Sequence, residues 1–102
     1  MTNSLTKGLR PIHPGEFLRE DVLPALGRPK AEIARLLGIS RNTLDGILNE
    51  KRPVTAHVAL RFGKMFGNGP EIWLNLQARY DFNLARKDLG ETLEIIPRLE
   101  AA

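Results

Sequence analysis

The stretch KAEIARLLGISRNTLDGILN, residues 30–49, decides the fold that we expect for this chain. Its apolar and small residues recur at the three- and four-residue steps that keep side chains on one face of a helix: Ile33, Ala34, Leu37, Ile39, Leu44, Ile47 and Leu48. Gly38 can adopt the left-handed backbone that ends a helix, and Ser40 offers an oxygen to cap the next one. Two helices joined by so short a turn are typical of a DNA-binding helix-turn-helix, whose second helix enters the major groove.

The bulk composition describes one small globular domain. A length of 102 residues allows one modest core, and the absence of cysteine excludes a disulfide framework or a thiolate metal site. No apolar run approaches the roughly 18 residues that a membrane span requires. The N-terminus lacks the apolar core of a signal peptide. We therefore expect a cytoplasmic protein without a membrane anchor.

The charge is unevenly distributed along the chain. The net charge is +3, yet residues 1–87 hold 14 Lys and Arg against 8 Asp and Glu, whereas residues 88–102 hold 1 against 4. A basic body favours binding to a polyanion, because phosphate contacts supply most non-specific affinity for nucleic acid. Ordinary variation in composition explains the same numbers equally well. Charge alone therefore does not decide the function.

Turn and capping residues divide the chain into an all-α domain of five helices, which begin near Pro14, Lys30, Arg41, Thr55 and Pro70. Pro24 lies late in the first helix and should kink or end it. Residues 91–102 are compatible with a short helix, an added strand or a mobile tail. We expect a flexible N-terminal tail at 1–11, the helix-turn-helix domain at 12–87 with a C-terminal dimerisation helix, and an acidic tail at 88–102.

The fifth helix is apolar over about two-thirds of its circumference, more than the usual stripe of roughly 100° on a monomer's surface helix. Placed at helical steps, Trp73, Leu76, Tyr80 and Leu84 cluster on one side, and Leu74, Ala78, Phe82 and Ala85 on an adjoining one. One face can pack on the domain core while the other needs a partner, most simply a second copy. The alternative is a central core helix wrapped by the other four. The predicted dimer interface comprises Trp73, Leu74, Leu76, Tyr80 and Phe82.

The second helix of the motif has an outer side formed by Asn42, Gly46 and Asn49, flanked by Thr43 and Asp45. Asn can pair with the N6 and N7 edge of adenine, and Thr can reach a base edge or a thymine methyl. Gly46 either lets the backbone approach the duplex or simply weakens the helix. Asp45 is repelled by phosphates unless it accepts a hydrogen bond from cytosine or pairs with a basic neighbour such as Arg41, which itself can reach a phosphate or a guanine.

Basic residues flank the motif at both ends. Lys51 and Arg52 follow the second helix, and Arg28 and Lys30 precede the first. All four are candidate phosphate anchors, and the alternative for each is a solvated charged face.

No enzyme is predicted from this sequence. His13 and His57 lie far apart without the spacing of a metal site, and Glu16, Glu20 and Asp21 fit the solvent face of an amphipathic helix. No nucleophile elbow, phosphate loop or dinucleotide fingerprint is present. We therefore expect no catalytic residue, no metal and no cofactor.

Three blocks of the sequence resemble the HigA-type antitoxins, members of the large lambda-repressor-like (XRE) helix-turn-helix group. The blocks are PIHPGEFL at 11–18, AEIARLLGISRNTLDGILNEKRPVTAHVALRFGKMFG at 31–67 and PEIWLNLQARYD at 70–81. The third block is far more specific than the helix-turn-helix alone.

The resemblance implies a compact five-helix domain that dimerises and lies in the bacterial cytoplasm, associated with the nucleoid when it is bound to DNA. It implies a toxin partner encoded beside the gene, a HigB-like endoribonuclease of the RelE type that cleaves messenger RNA and that this chain neutralises. It also implies repression of the shared operon through binding of the third helix to a palindrome in double-stranded DNA. The DNA-facing positions that it implies are Ser40, Arg41, Asn42, Thr43, Asp45, Gly46 and Asn49, to which the flanking residues add Lys30, Lys51 and Arg52.

The chain departs from the family at several positions. Arg28-Pro29-Lys30 stands where a Ser or Thr cap and a phosphate-contacting polar residue are common, so that contact would come from Lys30. Gly69 replaces a side-chain cap. Asp45 and Gly46 stand where bulkier or basic groups are common, which leaves the operator sequence open.

Two other functions stay open at this point. A stand-alone XRE-type regulator would bind DNA without a toxin partner, and a helical adaptor would use the motif only for protein contact, as Asp45 and Gly46 would allow. Two segments are candidates for toxin binding. They are the N-terminal segment around Arg10 to Phe17 and the acidic tail, which suits a basic ribonuclease.

Overall fold

Six helices make up the part of the chain, residues 10–101, that a computed structural model describes. The first, α1, is continuous through the consecutive segments Pro14–Phe17, Leu18–Val22 and Leu23–Leu26. The others are α2 Lys30–Leu37, α3 Arg41–Leu48, α4 Ala56–Phe66, α5 Pro70–Leu89 and α6 Thr92–Ile95. The all-α class is confirmed, and the segment left open after residue 90 contains a single helical turn, α6. Most of the tail predicted at 1–11 lies outside the described residues.

Helix α1 does not end at Pro24. Its middle segment, Leu18–Val22, is π-helical, and the N–H of Leu23 donates to the carbonyl of Leu18 five residues earlier. A proline ring normally collides with the carbonyl four residues before it. The wider turn changes which carbonyl faces the ring, so the helix continues to Leu26 and stops at Gly27.

Local capping sets the limits of the helix-turn-helix, as the sequence predicts. Gly38 ends α2 with a left-handed backbone, φ 76°, and the Ser40 side chain accepts a hydrogen bond from the Thr43 N–H at 3.0 Å to begin α3. Thr55 caps α4 in the same way by accepting from the Val58 N–H. Pro29 before α2 and Gly69 before α5 supply no side-chain cap. The end of α2 and the start of α3 are therefore determined largely by neighbouring residues.

One apolar core joins the first five helices. Its largest wholly buried side chains are Leu18, Ile33, Leu44, Ile47, Phe62 and Trp73. The indole of Trp73 lies among aromatic rings, with centroids 4.8 Å from Phe62 and 5.2 Å from Phe17. Its Nε1 donates to Asn68 Oδ1 at 3.0 Å, so the one polar atom of the indole is satisfied.

Helix α5 has one face in this core and one apolar face in solvent. Trp73 is 0% exposed, so the prediction that it contacts a second chain was wrong. Leu76 and Tyr80 lie on the same core-facing side and are half-buried, against the core and the ring of His13 respectively. Both arcs of α5 are apolar, and the one that carries the large indole fills the core. Five exposed apolar residues on the other side form what we call the α5 seam: Leu74, Ala78, Phe82, Ala85 and Leu89.

Candidate nucleic-acid interface

Helix α3 separates its apolar and polar side chains cleanly. Leu44, Ile47 and Leu48 are buried, whereas Arg41, Asn42 and Asn49 are exposed, as the sequence predicts. Asn49 is the residue that ends the helix, so it lies at the edge of the exposed face. This face carries donors and acceptors suited to base edges, on a helix fixed by its buried side.

A chain of hydrogen bonds runs across the start of α3. The Ser40 hydroxyl donates to Thr43 Oγ1 at 2.8 Å, and Arg52 Nη1 donates to the same oxygen at 3.3 Å. Arg52 therefore reaches back from the loop after α3 to its first turn. Ser40, Thr43 and Arg52, predicted as separate DNA contacts, form one connected group.

The aliphatic part of the Arg52 side chain packs against α3 at Gly46. A Cβ at residue 46 would lie 2.6 Å from Arg52 Cδ and 2.7 Å from Arg52 Cγ, well inside van der Waals contact. The space that a side chain would fill at Gly46 is thus occupied by Arg52. The sequence offered two explanations for this glycine, and neither included a neighbouring side chain.

Asp45 is paired with a basic neighbour. Arg41 Nε donates to Asp45 Oδ1 at 3.2 Å, one helical turn away, and both side chains remain partly exposed. Because the Arg41 guanidinium balances the charge of Asp45, the pair reduces the repulsion between this aspartate and nearby phosphates. It also holds the Arg41 guanidinium on the exposed side of α3.

The basic residues around α3 occupy three different situations. The backbone N–H groups of Lys51 and Arg52 donate to the carbonyl of Gly46, at 2.8 and 3.0 Å, so both residues are held at the C-terminal end of α3. Lys30 is exposed at the first position of α2, on the other helix of the motif. Arg28 is in an ion pair with Glu32.

Contacts between distant residues, which the sequence analysis missed, hold the C-terminal end of α3. Arg19 Nη1 donates to the carbonyl of Leu48 at 2.6 Å, and Arg19 Nη2 lies 3.3 Å from Glu50 Oε2. Glu50 has a left-handed backbone, φ 61°, the conformation that terminates helices. Gly15 packs so closely that an added Cβ would lie 1.8 Å from the carbonyl oxygen of Ile47. Helix α1 thus positions the end of α3.

Gln77 connects α5 to the segment that follows α3. Its Oε1 accepts a hydrogen bond from the buried N–H of Val54 at 2.7 Å, and its Nε2 donates to Asp81 at 2.9 Å. Gln77 is only 8% exposed, unusual for a glutamine. The helix that carries the α5 seam is therefore tied to the chain leaving α3. The signal in the sequence was a polar residue on the side of α5 that carries Trp73 and Tyr80.

His13 is a buried helix cap. It is 3% exposed, its Nδ1 accepts a hydrogen bond from the Gly15 N–H at 2.8 Å, and its ring stacks edge-on against Tyr80 at 4.9 Å. Burial lowers the pKa of His13 below its ordinary value of 6.5, although the carboxylates of Glu50 and Asp81 oppose the shift. The neutral ring is the form that can accept from Gly15.

The protein should lose stability in mild acid because of His13. Below about pH 6.5 the unfolded chain binds a proton at this residue while the folded chain resists it. The stabilisation by neutral His13 is therefore complete above about pH 6.5 and is lost as the pH falls toward the lowered folded-state pKa. We expect the urea midpoint to fall on acidification in the wild type and to fall less in His13→Asn, which keeps a capping oxygen.

The exposed His57 supplies the control for this measurement. His57→Asn should show the wild-type dependence of the urea midpoint on pH. Equal pH dependence in His13→Asn and the wild type would contradict the account of His13.

The described residues contain no group of three or more His, Asp or Glu side chains placed to hold a metal ion. Within residues 10–101, no helix is both long and apolar enough to cross a membrane.

The chain is similar to antitoxins in sequence and in structure. The antitoxin HigA-1 of Vibrio cholerae serotype O1 is 36% identical over 90 residues, 88% of this chain and 85% of that protein. An addiction module antidote protein of the HigA family from Coxiella burnetii superposes with a TM-score of 0.80 at 41% identity, over 90% of this chain and 100% of that one. The Pseudomonas aeruginosa antitoxin HigA with the higBA promoter gives a TM-score of 0.82 at 37% identity, over 89% and 100%. None of the protein-family models matches the chain.

The buried inner face of α3, its exposed polar face and the tight turn from α2 define a helix-turn-helix protein of the DNA-binding regulator class. The similarity to the Vibrio and Coxiella proteins covers most of each chain at well above 30% identity. The chain belongs to the HigA family of antitoxins.

Proposed function

We propose that the protein is a dimeric antitoxin that represses its own operon by placing α3 of each copy in the major groove of a palindromic operator. The observation that carries this proposal is a buried hydrogen bond between the segment that follows α3 and α5. Val54 N–H donates to Gln77 Oε1 at 2.7 Å, and the seam on α5 is exposed and apolar. Two copies joined along this helix would hold two α3 helices at a fixed separation, as half-sites about one helical turn apart require.

The relatives support the DNA-binding half of the proposal. Solved structures at 37–42% identity include the Pseudomonas aeruginosa antitoxin HigA with the higBA promoter and the antitoxin GraA in complex with its operator. By analogy, α3 of this chain faces the bases. We assign base contacts to Arg41, Asn42, Thr43 and Asn49 and phosphate contacts to Lys30, Lys51 and Arg52, with Ser40, Asp45 and Gly46 shaping the same surface.

The dimer is inferred from the shape of the α5 seam. Its five residues fall within about a quarter of the helix circumference, on a side of α5 adjoining the one that carries Trp73 and Gln77. Along the helix, Ala78 lies about one turn before Phe82 and Ala85 about one turn after it. A second helix could therefore approach closely at the two alanines and contact the Phe82 ring between them. Leu74 at 39% and Phe82 at 62% exposure leave considerable apolar surface in water in a single copy. Leu74 and Phe82 are the members of the original interface prediction that this proposal keeps at its centre.

Replacing Arg41 and Asn42 together with alanine should weaken binding to the protein's own promoter. Each good bidentate base contact contributes about 1–3 kcal/mol, so loss of both groups should lower affinity at least about tenfold. Fluorescence anisotropy with a labelled promoter duplex measures this directly. The matched control is Arg79→Ala with Asn75→Ala, the same residue types exposed on α5, which should change affinity less than about twofold.

Unchanged affinity in the Arg41 and Asn42 double variant would remove α3 from the DNA interface. It would favour a helical adaptor whose motif contacts only protein.

Toxin binding is assigned to the acidic tail. The alternative segment, Arg10 to Phe17, is largely built into the core, since Ile12, His13 and Phe17 are buried. The tail, residues 88–102, has four acidic residues and one basic residue. Four of its apolar side chains are 45–85% exposed: Leu93, Ile95, Ile96 and Leu99. Exposed apolar side chains interspersed with acidic ones suit a basic ribonuclease of the RelE type.

A chain ending at Lys87 should fail to co-purify with the basic RelE-like protein encoded beside the gene, although it keeps the helix-turn-helix. Because this truncation also removes Leu89 of the α5 seam, a full-length variant with Glu91, Glu94 and Glu100 changed to glutamine is the companion. It should bind the toxin more weakly and with less dependence on salt. If the truncated chain and the glutamine variant both co-purify fully with the toxin, the acidic tail is not the toxin-binding site. The absence of such a neighbouring gene would favour a stand-alone regulator.

A further inference from the structure

We infer that Gly46, Arg52 and Thr43 together determine which bases are accepted at one position of the operator. Arg52 packs against Gly46 and donates a hydrogen bond to the Thr43 hydroxyl, so that this hydroxyl can interact with a base only by donating its proton. The base that Thr43 reads must then present a hydrogen-bond acceptor in the major groove. This inference rests on the proposed binding of operator DNA by α3. It adds to that proposal the direction of the hydrogen bond between Thr43 and a base, and a role for Gly46.

The argument begins with the hydrogen-bonding capacity of Thr43. A hydroxyl has one proton to donate and two lone pairs to accept with. Thr43 Oγ1 accepts from the Ser40 hydroxyl at 2.8 Å and from Arg52 Nη1 at 3.3 Å. The guanidinium can only donate, so the direction of the second bond is fixed by chemistry. With two donors directed at it, Thr43 Oγ1 has its own proton left for the groove.

Ser40 strengthens this polarity. Its Oγ already accepts the N–H of Thr43 at 3.0 Å as the cap of α3. Its single proton is left for Thr43 Oγ1, to which Ser40 Oγ donates at 2.8 Å. Both neighbours of the Thr43 oxygen therefore act as donors toward it.

Base edges differ in what they offer to such a donor. In the major groove guanine presents N7 and O6, adenine presents N7 and thymine presents O4, all acceptors. Cytosine presents only its N4 donor there. The protein should therefore accept guanine, adenine or thymine at the base that Thr43 contacts and should reject cytosine.

Gly46 is necessary for this arrangement because of where Arg52 lies. A methyl group at residue 46 would stand 2.6 Å from Arg52 Cδ, 2.7 Å from Cγ and 3.0 Å from Nε. The arginine side chain is flexible and exposed, so it would move away while the helix stays intact. Alanine also favours the helix more than glycine does. Gly46→Ala should thus raise the melting temperature while removing Arg52 from Thr43, a combination that loss of folding cannot produce.

The test uses full-length protein and a set of promoter duplexes carrying each of the four bases at each half-site position, with affinities from fluorescence anisotropy. The wild type should disfavour cytosine at one position of each half-site by at least about tenfold. Thr43→Ser keeps the hydroxyl and should keep this discrimination. Thr43→Val, Arg52→Ala and Gly46→Ala should each reduce it to about twofold or less. Adding Gly46→Ala to Arg52→Ala should change nothing further, because Arg52 is the means by which Gly46 acts.

Two results would overturn the inference while leaving operator binding in place. One is wild-type discrimination in Gly46→Ala. The other is a Gly46→Ala effect that multiplies with that of Arg52→Ala, which would mean that the two residues act independently. A wild type that prefers no promoter sequence over scrambled DNA would instead overturn the proposed operator binding together with this inference.

Discussion

Replacing Phe82 with glutamate is expected to leave the protein monomeric and to lower its affinity for a palindromic operator at least about 100-fold. Phe82 is 62% exposed at the centre of the α5 seam, and the Arg86 guanidinium lies 5.7 Å from its ring. In a two-fold dimer, a glutamate there would face the equivalent charge of the partner across an apolar surface. The helix itself should persist, since Glu at 82 stands one turn before Arg86.

The affinity falls because a monomer has only one α3 helix to place in the operator. In a dimer, binding of one α3 makes binding of the other intramolecular, and the corresponding gain is typically about 10²–10⁴-fold. Analytical ultracentrifugation measures the oligomeric state, and anisotropy measures the affinity. The matched control is Leu60→Glu, which makes the same kind of change at a residue 63% exposed on α4. A Phe82→Glu protein that remains dimeric would remove the α5 seam from the interface.

Replacing Trp73 with alanine should destabilise the fold by about 3–5 kcal/mol, a large share of the roughly 5–15 kcal/mol typical of a small domain. Trp73 is 0% exposed, and its ring contacts those of Phe17, Phe62 and Phe66. The variant loses this burial, leaves a cavity among helices α1, α4 and α5, and leaves Asn68 Oδ1 without its donor. Urea unfolding should be followed by far-ultraviolet circular dichroism, because Trp73 is the only tryptophan in the chain.

The neighbouring residue supplies the comparison. Leu74→Ala lies on the exposed seam and should change the unfolding free energy of the monomer by less than about 1 kcal/mol. A Trp73→Ala protein as stable as Leu74→Ala would mean that the core is organised differently from the structure described above.

The features that could be predicted from the sequence are those set by near neighbours. Ser40 caps α3 through the N–H of a residue three positions later, and Gly38 ends α2 through its own backbone conformation. Such interactions depend on residue type and spacing, which the sequence shows directly. The turn between α2 and α3, with the end of one helix and the start of the other, follows from them.

The features that escaped prediction depend on which distant residues meet. Arg19 holds the carbonyl of Leu48 from 29 positions away, and Gln77 holds the N–H of Val54 from 23. Periodicity predicts two apolar faces on α5 without showing which one faces inward, so the burial of Trp73 in the core does not follow from it. Gly46 was ambiguous for the same reason, because its explanation is the side chain of Arg52.

The central claim, that a paired α3 reads a palindromic operator, is tested most directly by one titration. Fluorescence anisotropy should compare the palindrome of the protein's own promoter with a scrambled duplex of the same composition, at low and at physiological salt. We predict at least about 100-fold tighter binding to the palindrome and a loss of affinity for both duplexes as salt rises, because phosphate contacts release counterions. Equally weak binding to palindrome and scrambled DNA would contradict the account.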